Sequence, residues 1–223
     1  MAIQSGEFFQ NPALLKSVEN CKQNNSALHL MGLVGKGGIH SSADHLYALL
    51  EFAKNNNLEK VFIHVFTDGR DSAPTSGVES IKDIKNKIEE YRIGQIATVS
   101  GRYFAMDRNN NWDRVQKAYE AMVDGKGKEI SDITEYLQKS YSKEIFDEYI
   151  EPAVVTENQA PIGKIQEKDS VIFFNYREDR ARQLTKAFVL PGFSKFKKTN
   201  LKNISFTTMI QYEDNLPVNV AFG

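Results

Sequence analysis

The feature that most constrains this chain is a repeated pairing. A short apolar run of strand length is followed by a longer stretch with helical spacing. Residues 27–34, 61–66 and 95–99 are the first three apolar runs. Residues 42–54 follow with Leu46, Leu49, Leu50 and Ala53, and residues 76–91 with Ile81, Ile84 and Ile88, each set on one helical face. Residues 111–123 and 131–141 also read as helices. Continuous apolar strands are buried on both faces, and parallel neighbours need a crossover to connect them. The order therefore predicts an α/β fold with a parallel core flanked by helices. A helix over 11–24 precedes the first strand, with Asn11 as N-cap and Pro12 at its first turn. Ser76 and Glu79 have the spacing of a capping box. A fourth apolar strand covers 170–175 with a helix over 177–188 behind it, and 203–212 and 218–222 read as closing strands. Residues 141–168 and 190–201 have no clear period; connections around a second sub-layer are one reading of them, and the pattern leaves it open.

Length and composition narrow the class. The 223 residues are enough for one domain with a real core, or at most two small ones. A formal net charge of −1 gives no long-range pull toward nucleic acid or anionic lipid. The single cysteine, Cys21, excludes an internal disulfide framework and a cysteine zinc site. No run approaches the roughly 20 apolar residues of a membrane span, and the first residues lack the regions of a signal peptide. A cytoplasmic monomer with no membrane or nucleic-acid partner is the expectation.

Lysine outnumbers arginine 20 to 8, so the placement of arginine is informative. Arg70 follows the second strand in Thr67-Asp68-Gly69-Arg70-Asp71. Arg102 and Arg108 follow the third in Ser100-Gly101-Arg102-Tyr103-Phe104-Ala105-Met106-Asp107-Arg108. Arg177, Arg180 and Arg182 follow the fourth in Asn175-Tyr176-Arg177-Glu178-Asp179-Arg180-Ala181-Arg182. The first strand runs into Gly35-Lys36-Gly37-Gly38-Ile39-His40-Ser41. Ligands of open α/β sheets sit outside the carboxyl ends of the strands. Parallel strands bring these loops to one edge, where Arg70, Arg102, Arg108, Arg177 and Arg180 are expected to converge on a small, multiply charged anion. Arg92 and Arg114 fall outside the pattern.

Each residue alone has a plainer explanation. Asp68-Gly69 is a common turn pair, and Arg70 beside Asp71 suits a surface ion pair. Asp179 suits a helix start, and His40 a cap. His29, His45 and His64 read as structural, and Tyr103 and Phe104 as packing residues. The joint placement carries the reading. Gly35-Lys36 fails as a phosphate-binding P-loop, since Leu30 stands where a glycine is needed and Gly37 where a hydroxyl is needed. Gly125-Lys126-Gly127-Lys128 reads as a helix stop and a solvated turn. The residues offer an anion pocket with no evident nucleophile or metal site.

These segments, together with Ser26-Ala27-Leu28-His29-Leu30-Met31-Gly32-Leu33-Val34, follow one order that closely resembles the cofactor-independent phosphoglycerate mutases, from about residue 4 to residue 222. The resemblance covers one of that family's two domains. It implies that residues 11–215 are the inserted, substrate-binding (phosphotransferase) domain, with 1–10 and 216–223 as linkers to and from an alkaline-phosphatase-like domain of the same polypeptide. It implies a single compact α/β domain with a curled mixed sheet around the parallel core. It also implies that the other domain supplies a serine nucleophile and two divalent metals, manganese or similar, while this chain binds no cofactor or metal.

The implied reaction interconverts 3-phosphoglycerate and 2-phosphoglycerate. The serine takes the phosphoryl group, the glycerate reorients on this domain, and the group returns to the other hydroxyl. Residue by residue, the implied substrate contacts are His40, Arg70, Asp71, Arg102, Arg108, Arg177 and Arg180. Asp71 would be the acid or base for the glycerate hydroxyls, and His40 would meet the phosphate. Two positions depart from the family pattern: Gly35-Lys36 replaces Ser with Asp or a similar residue, and Ser42 replaces a second histidine. Lys36 is expected to add charge beside His40. A stand-alone binding module for small phosphorylated carboxylates is the alternative. The fragment alone is expected to be inactive.

Overall fold

The middle of the sheet is β1 (Leu28–Val34), buried at every position. That burial follows from parallel neighbours on both sides and helices on both faces. The computed structural model describes residues 2–223. Before β1 come α1 (Ala2–Ser5), a 3-10 turn (Glu7–Gln10) and α2 (Pro12–Asn24); after it come α3 (Ala43–Asn55), β2 (Val61–Thr67), α4 (Gly77–Tyr91), β3 (Gln95–Gly101), α5 (Arg102–Ala105) and α6 (Trp112–Val123). The second half runs β4 (Lys128–Ile130), α7 (Ile133–Tyr141), a 3-10 turn (Asp147–Tyr149), β5 (Ala153–Glu157), β6 (Ala160–Pro161), β7 (Ser170–Phe173), α8 (Arg182–Val189), β8 (Ser205–Thr208) and β9 (Asn219–Val220).

The strands form one mostly parallel mixed sheet in the order β4-β5-β3-β2-β1-β7-β8-β9, with β6 paired to β5. The β3–β5 and β5–β6 pairs are antiparallel. The expected parallel core is present as β3-β2-β1-β7-β8. Side chains alternate across it. Leu30 and Val65 face one core with Leu14, Leu46, Ile81 and Leu137 of the covering helices. Met31 and Phe66 face the other, with Val115 and Tyr119 of α6 and Leu184 and Phe188 of α8. Burying each such side chain contributes about 1.5–3 kcal/mol.

Asn11 caps α2 as expected, accepting from Ala13 N at 3.0 Å and Leu14 N at 3.2 Å. Its amide also donates to the Ala221 carbonyl at 2.5 Å, while Phe8 stacks on Phe222 with ring centroids 6.0 Å apart. The two ends of the chain thus meet.

Several expectations need correction. The Ser76–Glu79 capping box does not form. The Ser76 hydroxyl donates to the Ala73 carbonyl, Glu79 turns to Lys36, and the buried Asp147 accepts from Gly77 N at 2.7 Å. A carboxylate remote in sequence therefore caps α4. The helix expected from residue 177 starts at Arg182, because Tyr176 N is committed to the His40 carbonyl and Ala181 N closes a turn onto Glu178. Residues 141–168 form no separate sub-layer: β5 pairs with β3 and extends the same sheet. Lys128, expected in a turn, opens β4, although Gly125 does have the left-handed φ of 70° suited to a helix stop. The closing strands shorten to β8 and β9.

A polar chain crosses the buried sheet near its other end. His29 Nε2 lies 3.1 Å from Asp169 Oδ2, His29 Nδ1 lies 2.9 Å from His64 Nε2, and His64 Nδ1 lies 2.9 Å from Thr98 Oγ1. A carboxylate only accepts, so His29 donates through Nε2 and accepts at Nδ1 from His64. Thr98 then donates to His64, and each donor points toward Asp169. Burial lowers the pKa of His29 against the raising effect of Asp169, and lowers that of His64 further. Both rings are structural, as expected, but they are partners of each other. Their sequence separation hides a contact made by strand register.

Candidate functional site

The carboxyl ends of β1, β2, β3 and β7 open onto one edge, and the four expected loops meet there. After β2, the Asp68 carboxylate accepts from Arg70 N at 3.3 Å, Asp71 N at 3.1 Å and the Ser72 hydroxyl at 2.9 Å. This turn aims Asp71 at the loop from β1. That loop packs so closely that a Cβ on Gly37 would lie 2.6 Å from the Asp71 carbonyl oxygen. Arg102 follows β3 and is buried, with Nη1 at 2.6 Å from both Asp68 Oδ1 and Asp71 Oδ2. Burial opposes ionisation of Asp68, but the Arg102 bond, the Asp71 N–H and the Ser72 hydroxyl outweigh it and hold its pKa low.

The charge network continues through His40. Its Nε2 lies 3.7 Å from Asp71 Oδ2 and its Nδ1 lies 3.6 Å from Asp179 Oδ1. Burial, then Arg102, lowers the His40 pKa against the pull of both carboxylates. Asp179 also pairs with Arg108 Nη1 at 2.6 Å and Arg177 Nε at 3.2 Å. Arg108 and Arg177 are nearly half exposed, so Asp179 holds one edge of each guanidinium and leaves further donors facing outward. Arg70 reaches Glu148 at 3.4 Å, not Asp71. Arg180 donates to the Met106 carbonyl at 3.2 Å. Burial and the nearby Arg102, Arg108 and Arg70 lower its pKa.

A cavity of about 220 Å³ opens between these groups, lined by Arg70, Arg102, Arg108 and Arg180, with Arg114, Tyr103, Asp107 and Glu148. Three buried polar atoms of the network, Arg102 Nε, His40 Nδ1 and Asp179 Oδ1, make no hydrogen bond among the described residues. Buried polar groups are usually satisfied; here His40 Nδ1 and Asp179 Oδ1 face each other at 3.6 Å, and Asp179 Oδ1 also meets Arg177 Nε at 3.2 Å, as ion pairs without hydrogen-bond geometry. A cluster of guanidinium groups with imidazole and carboxylate beside them can hold a carboxylate or phosphoryl group and exchange a proton with a hydroxyl.

Four of the five expected arginines line the cavity, and Arg177 joins them through Asp179. His40 and Asp71 are not in the lining; Asp71 is bonded to Arg102 at 2.6 Å, and His40 lies 3.7 Å from Asp71 and 3.6 Å from Asp179. Lys36 does not add charge beside His40: it is exposed and bonded to Glu79 at 2.9 Å. Arg114, read as outside the pattern, belongs to the lining. Glu148 was also not foreseen, since it comes from the stretch without a clear period.

The residues matched by the family model of the BPG-independent PGAM N-terminus (iPGM_N) are 1–214. A 2,3-bisphosphoglycerate-independent phosphoglycerate mutase of Clostridium perfringens (strain SM101 / Type A) is 49% identical over 221 residues, covering 99% of this chain and 43% of that protein. One of Clostridium acetobutylicum is 50% identical over 223 residues, covering 100% of this chain and 44% of the relative. A crystal structure of Leishmania mexicana phosphoglycerate mutase at low cobalt concentration superposes with a TM-score of 0.91 at 27% identity, over 96% of this chain and 41% of that one. The chain thus spans less than half the length of the relatives it matches. With the family model, the sequence relatives and the superposed fold in agreement, the chain belongs to the BPG-independent PGAM N-terminus family.

Proposed function

We propose that this chain is the substrate-holding domain of a cofactor-independent phosphoglycerate mutase, with residues 11–215 as the binding domain and 1–10 and 216–223 as linkers. The observation that carries this reading is the arginine-lined cavity at the ends of β2, β3 and β7. Its residues suit a ligand with a carboxylate at one end and a phosphoryl group at the other. Such a ligand is 3-phosphoglycerate or its isomer 2-phosphoglycerate.

On this reading Arg70, Arg102, Arg108, Arg177 and Arg180 hold the two charged ends and spread the charge of the transferring group. His40, kept neutral before binding, meets the phosphoryl oxygens. Asp71, fixed by Arg102, exchanges the proton of the glycerate hydroxyl that gains or loses the phosphoryl group. The serine that carries the phosphoryl group and the two divalent metals, manganese or similar, belong to the companion phosphatase-like domain. Among the described residues, no group of three or more His, Cys, Asp or Glu is arranged to hold a metal ion. No described helix is long and apolar enough to cross a membrane, and a cytoplasmic monomer is part of the same proposal. A stand-alone binding module does not fit relatives that carry the mutase name over more than twice this length.

The test is a calorimetric titration of the chain with 3-phosphoglycerate, beside Arg177→Ala. Saturable binding, weakened about tenfold or more in the variant, is expected from loss of a charge-assisted contact. Absence of binding to the chain would overturn the assignment of the substrate to this domain. Formation of 2-phosphoglycerate by the chain alone would overturn the assignment of the nucleophile to another domain.

A further inference from the structure

Arg114 lies in the first turn of α6, ahead of which the chain loops back toward the ends of β3 and β7. Its guanidinium carbon sits 3.9 Å from the centre of the Tyr103 ring, stacked on the aromatic face. Stacking covers one face of the planar group and leaves its N–H donors at the edge. One of these, Nη1, reaches Asp107 Oδ1 at a long 3.5 Å. That carboxylate is already engaged. It accepts from Asn111 Nδ2 at 2.8 Å, and from Asn109 N, Asn111 N and Gln183 Nε2, each at 2.9 Å. Asp107 is therefore chiefly the anchor of the loop before α6, and its charge is only loosely shared with Arg114. No other carboxylate pairs with Arg114 among the described residues.

The same side chain lines the cavity with Arg70, Arg102, Arg108 and Arg180. The lining thus brings five guanidinium groups together; Arg102 is matched by Asp68 and Asp71 and Arg108 by Asp179, while Arg70, Arg114 and Arg180 are held only at 3.4 Å by Glu148, at 3.5 Å by Asp107 and at 3.2 Å by the Met106 carbonyl. Like charges held this close repel unless an anion shares them; the pKa of Arg180 is lowered by burial first and then by Arg102, Arg108 and Arg70. A ligand carboxylate alone would engage only part of the loosely matched charge of Arg70, Arg114 and Arg180. A ligand that adds a phosphoryl group, with a charge of roughly −1.5 to −2 near neutral pH, would balance it.

We infer that Arg114 is a further anion-binding residue of this cavity, and that it discriminates the phosphorylated ligand from its dephosphorylated counterpart. Arg114 supplies the fifth guanidinium, positioned by the Tyr103 face and by Asp107. The inference rests on the proposed function and adds to it the residue that senses phosphorylation.

The experiment titrates the chain with 3-phosphoglycerate and, separately, with glycerate, using the wild type, Arg114→Gln, Arg114→Lys and Arg177→Ala. Arg114→Gln should weaken 3-phosphoglycerate about tenfold or more and change glycerate by about twofold or less. Arg114→Lys, which keeps the charge, should recover part of the loss and also guards against a folding defect in the first variant. A purely structural role, holding Tyr103 against the loop, would weaken both ligands alike, and that result overturns the inference. So does an Arg114→Gln variant with unchanged 3-phosphoglycerate binding. If Arg177→Ala still weakens binding about tenfold or more in that case, the proposed function stands and only the role of Arg114 falls. No saturable binding of 3-phosphoglycerate to the wild type would overturn both.

Discussion

Asp68 and Arg102 form an ion pair of 2.6 Å in which each side chain is only 2% exposed. The pair joins the loop after β2 to the loop after β3 and fixes the arginine that holds Asp71. Removing the Asp68 charge would leave the buried Arg102 with Asp71 as its remaining carboxylate partner. Asp68→Asn is therefore expected to cost about 1–3 kcal/mol, read by urea unfolding at neutral pH. The folded carboxyl is held below the ordinary 3.8, so its stabilisation is present above that value. It is lost as pH falls through the lower, folded value. The variant should lack this part of the acid transition. An unchanged unfolding midpoint in the variant would refute the role given to the pair.

Gly37 has no room for a side chain against Asp71. Gly37→Ala should push the two loops apart and displace Asp71 from Arg102. The expected result is a loss of phosphoglycerate affinity of about tenfold, with the strand core intact by amide hydrogen exchange. Wild-type affinity in Gly37→Ala would mean that the loop shifts without consequence for the site.

The buried histidine pair predicts a second pH dependence, at the other end of the sheet. His29 and His64 are both held below their ordinary 6.5, chiefly by burial. The unfolded chain binds protons there that the folded chain refuses, so stability falls as pH drops below about 6.5. Each proton contributes a slope of about 1.4 kcal/mol per pH unit. The groups facing the pair are Asp169 and Thr98. Replacing both rings, His29→Leu with His64→Leu, should flatten the profile between pH 6.5 and 5. Asp169 keeps its bonds from Ala27 N and Gln166 N in that variant. An unchanged slope would show that the rings are not the source.

Lys36 gives a contrasting case. It and Glu79 are both well exposed, and such pairs contribute little. Lys36→Ala should leave the unfolding midpoint unchanged and alter ligand affinity by less than about twofold. A large loss of affinity would mean that Lys36 swings to the ligand on binding.

The sequence made the parallel core legible because β1, β2, β3 and β7 are mostly apolar, and their ends were legible because arginine is rare and concentrated there. What it hid was non-local. Asp147 caps α4 across 70 residues of chain, where the local pattern favoured Ser76 and Glu79. The helix behind β7 starts late because Tyr176 is tied to the loop carrying His40, a contact that periodicity cannot see. Strand β5 is short and paired antiparallel, so it lacked the continuous apolar signature of the core strands. Arg114 was set aside because it lies within a helix, and only the return of α6 toward the strand ends brings it into the cavity.

The contact of Asn11 with Ala221, and of Phe8 with Phe222, has a consequence for how this unit can be carried within another protein. Chain that enters and leaves at one spot can be spliced into a host loop without stretching either partner. The same adjacency makes a permuted chain feasible: joining the ends through a short flexible bridge and opening an exposed loop elsewhere should preserve the sheet and its ligand edge.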